Sequence, residues 1–162
     1  MSEFGYTCGF INYNNTICVI GNSFDLDEQS TPHSFVGIYR DGDWNFWEES
    51  FTIVSTIPGG EDYPGIAVMV GRRGDVLSIS SDGEITDELI DGSNGFPSQY
   101  SGLSHAAKIG SDFYAVGMRR QVYKRKVDSG TWERIDEEVL VPIESDDIEG
   151  FLCIDGFNES EI

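Results

Sequence analysis

The sequence predicts an all-β fold, and three observations carry the prediction. A sheet-like unit recurs with a period of about 46 residues. Asp-Gly and related turn signals fall at matching places in each copy. No stretch shows the 3.6-residue apolar periodicity of an amphipathic helix.

The first unit opens with CGFINYNN (8–15), read as a strand, and continues with TICVIG (16–21), an apolar strand ending in glycine. The segment NSFDLDEQSTP (22–32) is read as a long loop. SFVGIY (34–39) is the next strand, and DGDWNFW (41–47) supplies a tight turn and an outer strand. The glycine of such a turn adopts positive φ at little cost, as a two- or three-residue hairpin requires.

IAVMVGRRGDVLSISSDGEI (66–85) repeats the arrangement: an apolar strand ending in Val-Gly, a short connection, an alternating strand, an Asp-Gly turn and a further strand. FYAVGMRRQVYKRKVDSGTWERI (113–135) repeats it again, preceded by the strand HAAKIGSD (105–112). Val70-Gly71 and Val116-Gly117 lie about 46 residues apart, as do Val76 and Val122. Trp44 and Trp132 both stand two residues beyond the turn glycine, where the middle copy has Ile85. The one helix candidate, WERIDEEVLV (132–141), is equally well read as an outer strand followed by an acidic loop. GFLCIDGFNESEI (150–162) aligns with HAAKIGSDF, so a fourth unit is expected to begin there, leaving an open strand edge through which copies could self-associate.

Four-stranded antiparallel sheets at this period are the pattern of β-propeller blades. The expected fold is therefore one all-β domain over 1–162, with units at approximately 5–50, 51–100 and 101–145 and a partial unit at 146–162. The pattern resembles bacterial WD40-like β-propeller repeat proteins, of the kind found among toxin-immunity proteins. The resemblance covers most of the chain, although the Gly-His and Trp-Asp dipeptides of WD40 blades are missing. Val127-Asp128-Ser129-Gly130-Thr131-Trp132 approaches an Asp-box but is one residue short.

Charge is the strongest compositional signal, with 29 acidic against 10 basic side chains and a formal net charge of −19. Residues 1–107 hold 16 acids and 3 bases, 108–135 hold 3 acids and 7 bases, and 136–162 hold 10 acids and no base. Such a chain repels a polyanion, so direct nucleic-acid binding is not expected. A hydrophobic fraction of 39% and an aromatic fraction of 12% are enough to form a core. No basic segment followed by an apolar one opens the sequence, and no apolar run approaches membrane-spanning length. Cys8, Cys18 and Cys153, each in an apolar run without CxxC spacing, read as buried thiols in a reducing compartment. A cytoplasmic location is expected.

Catalytic signatures are absent: there is no GxSxG, SxxK, GxGxxG or GxxxxGK[ST]. Asp41, Asp43 and Asn45 start like a calcium loop, but Phe46 stands where a glycine is needed and Thr52 where a bidentate Glu belongs. His33 and His105 lack zinc-ligand spacing and read as surface or turn residues. No cofactor and no metal are expected, and the chain reads as a non-enzyme.

The propeller resemblance implies that alternate hairpin turns share one face, which would gather Asp41, Asp43, Asp82, Glu84, Asp112, Asp128, Asp155 and Glu159. Trp44 stands beside this field of carboxylates as a candidate anchor. Trp44, Phe46 and Trp47 are expected mainly to pack between blades. Arg72-Arg73 and Arg119-Arg120 fall in equivalent connections on the opposite face and are expected to bridge to acidic loops. The functional expectation is an acidic protein-binding module that occludes the active site of a basic partner, in particular an immunity protein against a nuclease toxin. A propeller-type carbohydrate-binding or glycosidase-like protein, or a fragment of a scaffold propeller, is the alternative.

Overall fold

The computed structural model describes residues 3–12, 15–28, 30–60, 63–90, 96–126, 130–156 and 158. It contains three four-stranded antiparallel sheets, each a simple meander. The first holds β1 (Phe4–Ile11), β2 (Ile17–Ser23), β3 (Ser34–Arg40) and β4 (Asp43–Glu49). The second holds β5 (Ile53–Gly60), β6 (Tyr63–Gly71), β7 (Asp75–Ile79) and β8 (Ile85–Leu89). The third holds β9 (Leu103–Ile109), β10 (Asp112–Gly117), β11 (Val122–Lys126) and β12 (Trp132–Arg134). Helix is confined to α1 (Phe24–Glu28), inside the segment expected to be a loop, and two short 3-10 turns.

The first strands of the sheets are neighbours, β1 beside β5 and β5 beside β9. Alternation along each strand then decides the core. In β6, Ala67 and Met69 face the first sheet, where Cys18, Ile20, Val36 and Ile38 meet them. Val68 and Val70 face the third sheet and pack with Phe113, Ala115, Tyr123 and Trp132. The second sheet is thus covered on both faces, which explains the unbroken apolar run IAVMV. Polar links reinforce the stacking: Ile53 N–H donates to Ser34 Oγ at 2.9 Å, and Ser55 Oγ donates to the Ala106 carbonyl at 2.9 Å. Both groups are buried, so the bonds replace lost hydration.

The expected fourth unit does not form a strand among the described residues. Residues 150–156 instead run as an irregular segment against the flank of the third sheet, where Phe151 N–H donates to the Gly117 carbonyl at 2.9 Å. The open strand edge expected there lies partly outside the described residues. Cysteine burial also differs from expectation: Cys18 is buried and Cys8 half-buried, but Cys153 is exposed on this segment. His33, expected at the surface or in a turn, lies in the connection before β3 but is buried there, and it accepts from Ser23 N–H at 2.7 Å through Nε2.

Burial raises the thiols of Cys8 and Cys18 to about 11 and about 12, from an ordinary 9.0. It raises the Tyr123 phenol from 10.0 to about 12. The folded protein holds these groups neutral, while the unfolded chain ionises first as pH rises. Their contribution to stability is therefore complete below about pH 9 and declines by about 1.4 kcal/mol per unit for each group between its unfolded and folded values. Urea midpoints are expected to fall steeply above about pH 9; a midpoint unchanged up to about pH 11 would contradict the burial of these groups.

Candidate protein-binding face

Among the described residues, contacts link the three sheets near their β3–β4, β7–β8 and β9–β10 turns. Arg40 Nη1 donates to the Ser81 carbonyl at 2.7 Å, joining the β3–β4 turn to the β7–β8 turn. Arg125 grips Glu88 of β8 through Nε and Nη2, at 2.9 and 2.7 Å. Tyr63, just past the β5–β6 turn, stands edge-on to Phe113, beside the β9–β10 turn, with ring centroids 5.1 Å apart. The turns themselves need left-handed backbone: Gly42 has φ 95° and Gly83 has φ 88°.

Four of the expected carboxylates come together here. Asp41 and Asp43 flank Gly42, Asp82 and Glu84 flank Gly83, and all four are exposed. The Arg40–Ser81 bond holds the two tips side by side. Arg40 also pairs with Asp41 at 3.3 Å in solvent, an interaction worth little by itself. The Ser80 hydroxyl, helped by backbone donors at Asp82 and Glu84, lowers the Asp82 carboxyl below its ordinary 3.8, so this tip stays anionic.

The other expected acids divide differently. Asp112 lies at the same end but is buried and ion-paired with Lys124 Nζ at 3.0 Å, which makes it part of the sheet's own structure. Asp155 is on the irregular segment that lines a hollow over Val116 and Val122, toward the opposite end of the third sheet. Asp128 and Glu159 lie outside the described residues, as do Val127–Ser129 of the near Asp-box. Among the described residues no group of three or more His, Cys, Asp or Glu is placed to hold a metal.

The aromatic trio of β4 separates by alternation. Trp47 turns inward to the core between the first and second sheets, its Nε1 donating to Glu49 at 2.7 Å. Trp44 and Phe46 turn outward instead of packing between sheets, with 44% and 72% of their surface exposed. Their rings stack at 5.3 Å with planes 8° apart, and Tyr39 leans on Trp44 at 5.5 Å. Gly37 of β3 makes room for them: a Cβ there would meet Phe46 Cε1 at 2.8 Å. The same outward face carries a shallow apolar hollow of about 300 Å³, lined by Phe4, Val19, Phe35 and Phe46 with Gly21 and Gly37. Tyr6, 70% exposed, extends the face along β1. An exposed apolar surface of this kind beside charged tips has the make-up of an interface: an apolar centre and a polar rim. Trp44 and Phe46 both stood out in the sequence, where they were expected mainly to pack between blades, whereas Tyr6 was not singled out. The signal was the pair of glycines, Gly21 and Gly37, in adjacent strands, since a strand glycine marks a place where something approaches closely.

The opposite end gathers the connections between sheets and the arginine pairs. Arg119, in the left-handed region at φ 57°, donates through Nη1 to the carbonyls of Pro142, Ser145 and Asp147 at 2.6, 3.0 and 3.1 Å. Arg120 pairs with Asp147 at 3.7 Å and Glu149 at 3.5 Å. This pair therefore bridges to the chain's own acidic loop, as expected. Among the described residues Arg72 and Arg73 make no such bridge, and they line an open pocket. Arg119→Ala is expected to release the loop, removing about 2–3 kcal/mol of local stability. No basic residue follows Arg134, so a glutamate-specific protease is the right probe: faster cutting at Glu144 and Glu149 is expected. Unchanged cutting would show that the loop is held by other contacts.

No protein-family model matches the chain. The chain is similar to Immune protein Tsi7 of Pseudomonas aeruginosa, with 30% identity over 164 aligned residues that take in 98% of this chain and 53% of that protein. The chain thus spans about half the length of the curated relative it matches.

Proposed function

We propose that the chain is an acidic binding module that neutralises a basic protein, acting as an immunity protein against a nuclease toxin. The observation that carries this reading is the similarity, along nearly the whole chain, to a protein named for immunity. The geometry supports it: exposed carboxylates on two joined hairpin tips stand next to a stacked aromatic pair. In this reading the three sheets are blades of a propeller-like scaffold that keeps the tips rigid. A rigid array of carboxylates imitates the phosphates of a nucleic acid, so the Lys and Arg side chains around a nuclease active site would pair with Asp41, Asp43, Asp82 and Glu84. Trp44 and Phe46 would bury the centre of the contact. The module performs no chemistry of its own and works in the cytoplasm, where its thiols stay reduced.

The test is co-production with a nuclease toxin encoded beside it. Cells making the toxin with the wild-type chain are expected to grow, and the purified nuclease is expected to lose activity at one equivalent of the chain. Growth arrest and full nuclease activity with toxins from every such neighbouring gene would overturn the reading.

A further inference from the structure

The two arginine pairs sit in equivalent connections but meet different fates. Five of the seven arginines have partners: Arg40 with Asp41 and Ser81, Arg119 with three carbonyls, Arg120 with Asp147 and Glu149, Arg125 with Glu88, and Arg134 with Asp136. The guanidinium groups of Arg72 and Arg73 have neither a hydrogen bond nor an ion pair among the described residues. Both side chains are exposed, in a protein whose net charge is −19. Adjacent cations left unpaired in so acidic a molecule are available to an anion.

Their surroundings are built to present them. Arg72 N–H donates to the Thr52 carbonyl and the Arg72 carbonyl accepts from Leu103 N–H, both at 2.8 Å, so the connection is pinned to the entry strands of two sheets. Gly74, at φ 102°, closes the turn with an N–H bond to the Gly71 carbonyl at 3.1 Å. The pocket beside them has a volume of about 550 Å³ and is lined by Asn22, Ser30, Thr31 and Thr52 together with the two arginines. Its far wall is fixed as well, because His33 Nδ1 bonds to the Thr31 carbonyl at 2.7 Å. Hydroxyl and guanidinium donors converging on one hollow suit carboxylate oxygens.

The third sheet supplies the template for the ligand. One repeat after Arg73, Arg119 grips the backbone carbonyls of an extended acidic segment, and Arg120 pairs with two of its carboxylates. We propose that the Arg72–Arg73 pocket is a second site of the same kind, which takes an extended acidic peptide segment from another molecule. Solvated charges elsewhere on the protein are screened within about 8 Å at physiological salt, so the local pair of cations decides the binding. The site is at the opposite end of the stack from the acidic tips, and the inference stands independently of the function proposed above.

The probe is a fluorescent peptide of residues 142–149, Pro-Ile-Glu-Ser-Asp-Asp-Ile-Glu, titrated with the full chain and read by anisotropy. Saturable binding is expected, weakened at least about tenfold in Arg72→Ala/Arg73→Ala and kept in Arg120→Ala. A peptide with Gln and Asn in place of its acids is expected not to bind. Equal binding by wild type and the double variant, or equal binding of the amide peptide, would overturn the proposal. So would saturation by inorganic phosphate with no binding of the peptide, which would assign the pocket to a small oxyanion. Exposed side chains are being removed, so thermal unfolding of the double variant should match wild type and confirm that a lost signal is local.

Discussion

Trp44→Ala with Phe46→Ala is expected to weaken the proposed complex with a basic partner by at least about a hundredfold, while the protein keeps its fold. The two rings present a broad apolar surface at the edge of the acidic tips, held in place by their stacking and by Tyr39. Aromatic side chains of this kind dominate interfaces because they bury much area at small entropic cost. Their truncation opens no cavity, since Trp47 is the β4 aromatic that fills the core. Calorimetric titration alongside thermal unfolding separates the outcomes. An unchanged affinity would remove the pair from the interface. A collapse of Tm, or an altered mass, would show instead that it is covered by another sheet.

The largest loss of stability is expected from Phe113→Ala. Phe113 has no exposed surface, stands at the centre of the core between the second and third sheets, and meets Tyr63 edge-on with Arg125 near its ring. Removing a fully buried ring costs about 3–5 kcal/mol, through lost transfer energy and the cavity left behind. That is a large part of the roughly 5–15 kcal/mol typical of a whole domain, so the urea midpoint should drop by about a fifth or more. A loss below about 1 kcal/mol would mean that the second and third sheets do not share one close-packed core.

Much of the fold was written in local signals. The glycines of the Asp-Gly turns, the apolar strands ending at Gly71 and Gly117, and the two-sided burial of β6 follow from turn chemistry and alternation, which act over a few residues. What alternation cannot reveal is which face has a neighbour. Trp44 and Trp132 hold the same place in their units, yet Trp132 is buried against the second sheet and Trp44 is exposed. The difference comes from the stacking order: the third sheet follows another sheet, and the first, among the described residues, follows none. Among the described residues, the segment from 150 to 156 differs from the expected strand for a related reason. GFLCID has the apolar character of a strand, but the residues are tied to the flank of the third sheet through Gly117 and His105, and no ladder forms. The turn positions of Asp41, Asp43, Asp82 and Glu84 were legible because tip residues keep their position whatever the packing. Asp112 was not, because its burial depends on Lys124, a residue of the neighbouring strand.

The central claim is that carboxylates on the joined tips bind a cationic partner, and the most direct measurement is affinity for the neutralised toxin as a function of salt. With wild type, the association constant should fall steeply and linearly on a log–log plot between about 50 and 200 mM salt. In Asp41→Asn/Asp43→Asn/Asp82→Asn/Glu84→Gln the binding should be weak and the slope much flatter. An affinity indifferent both to salt and to the four amides would contradict the claim.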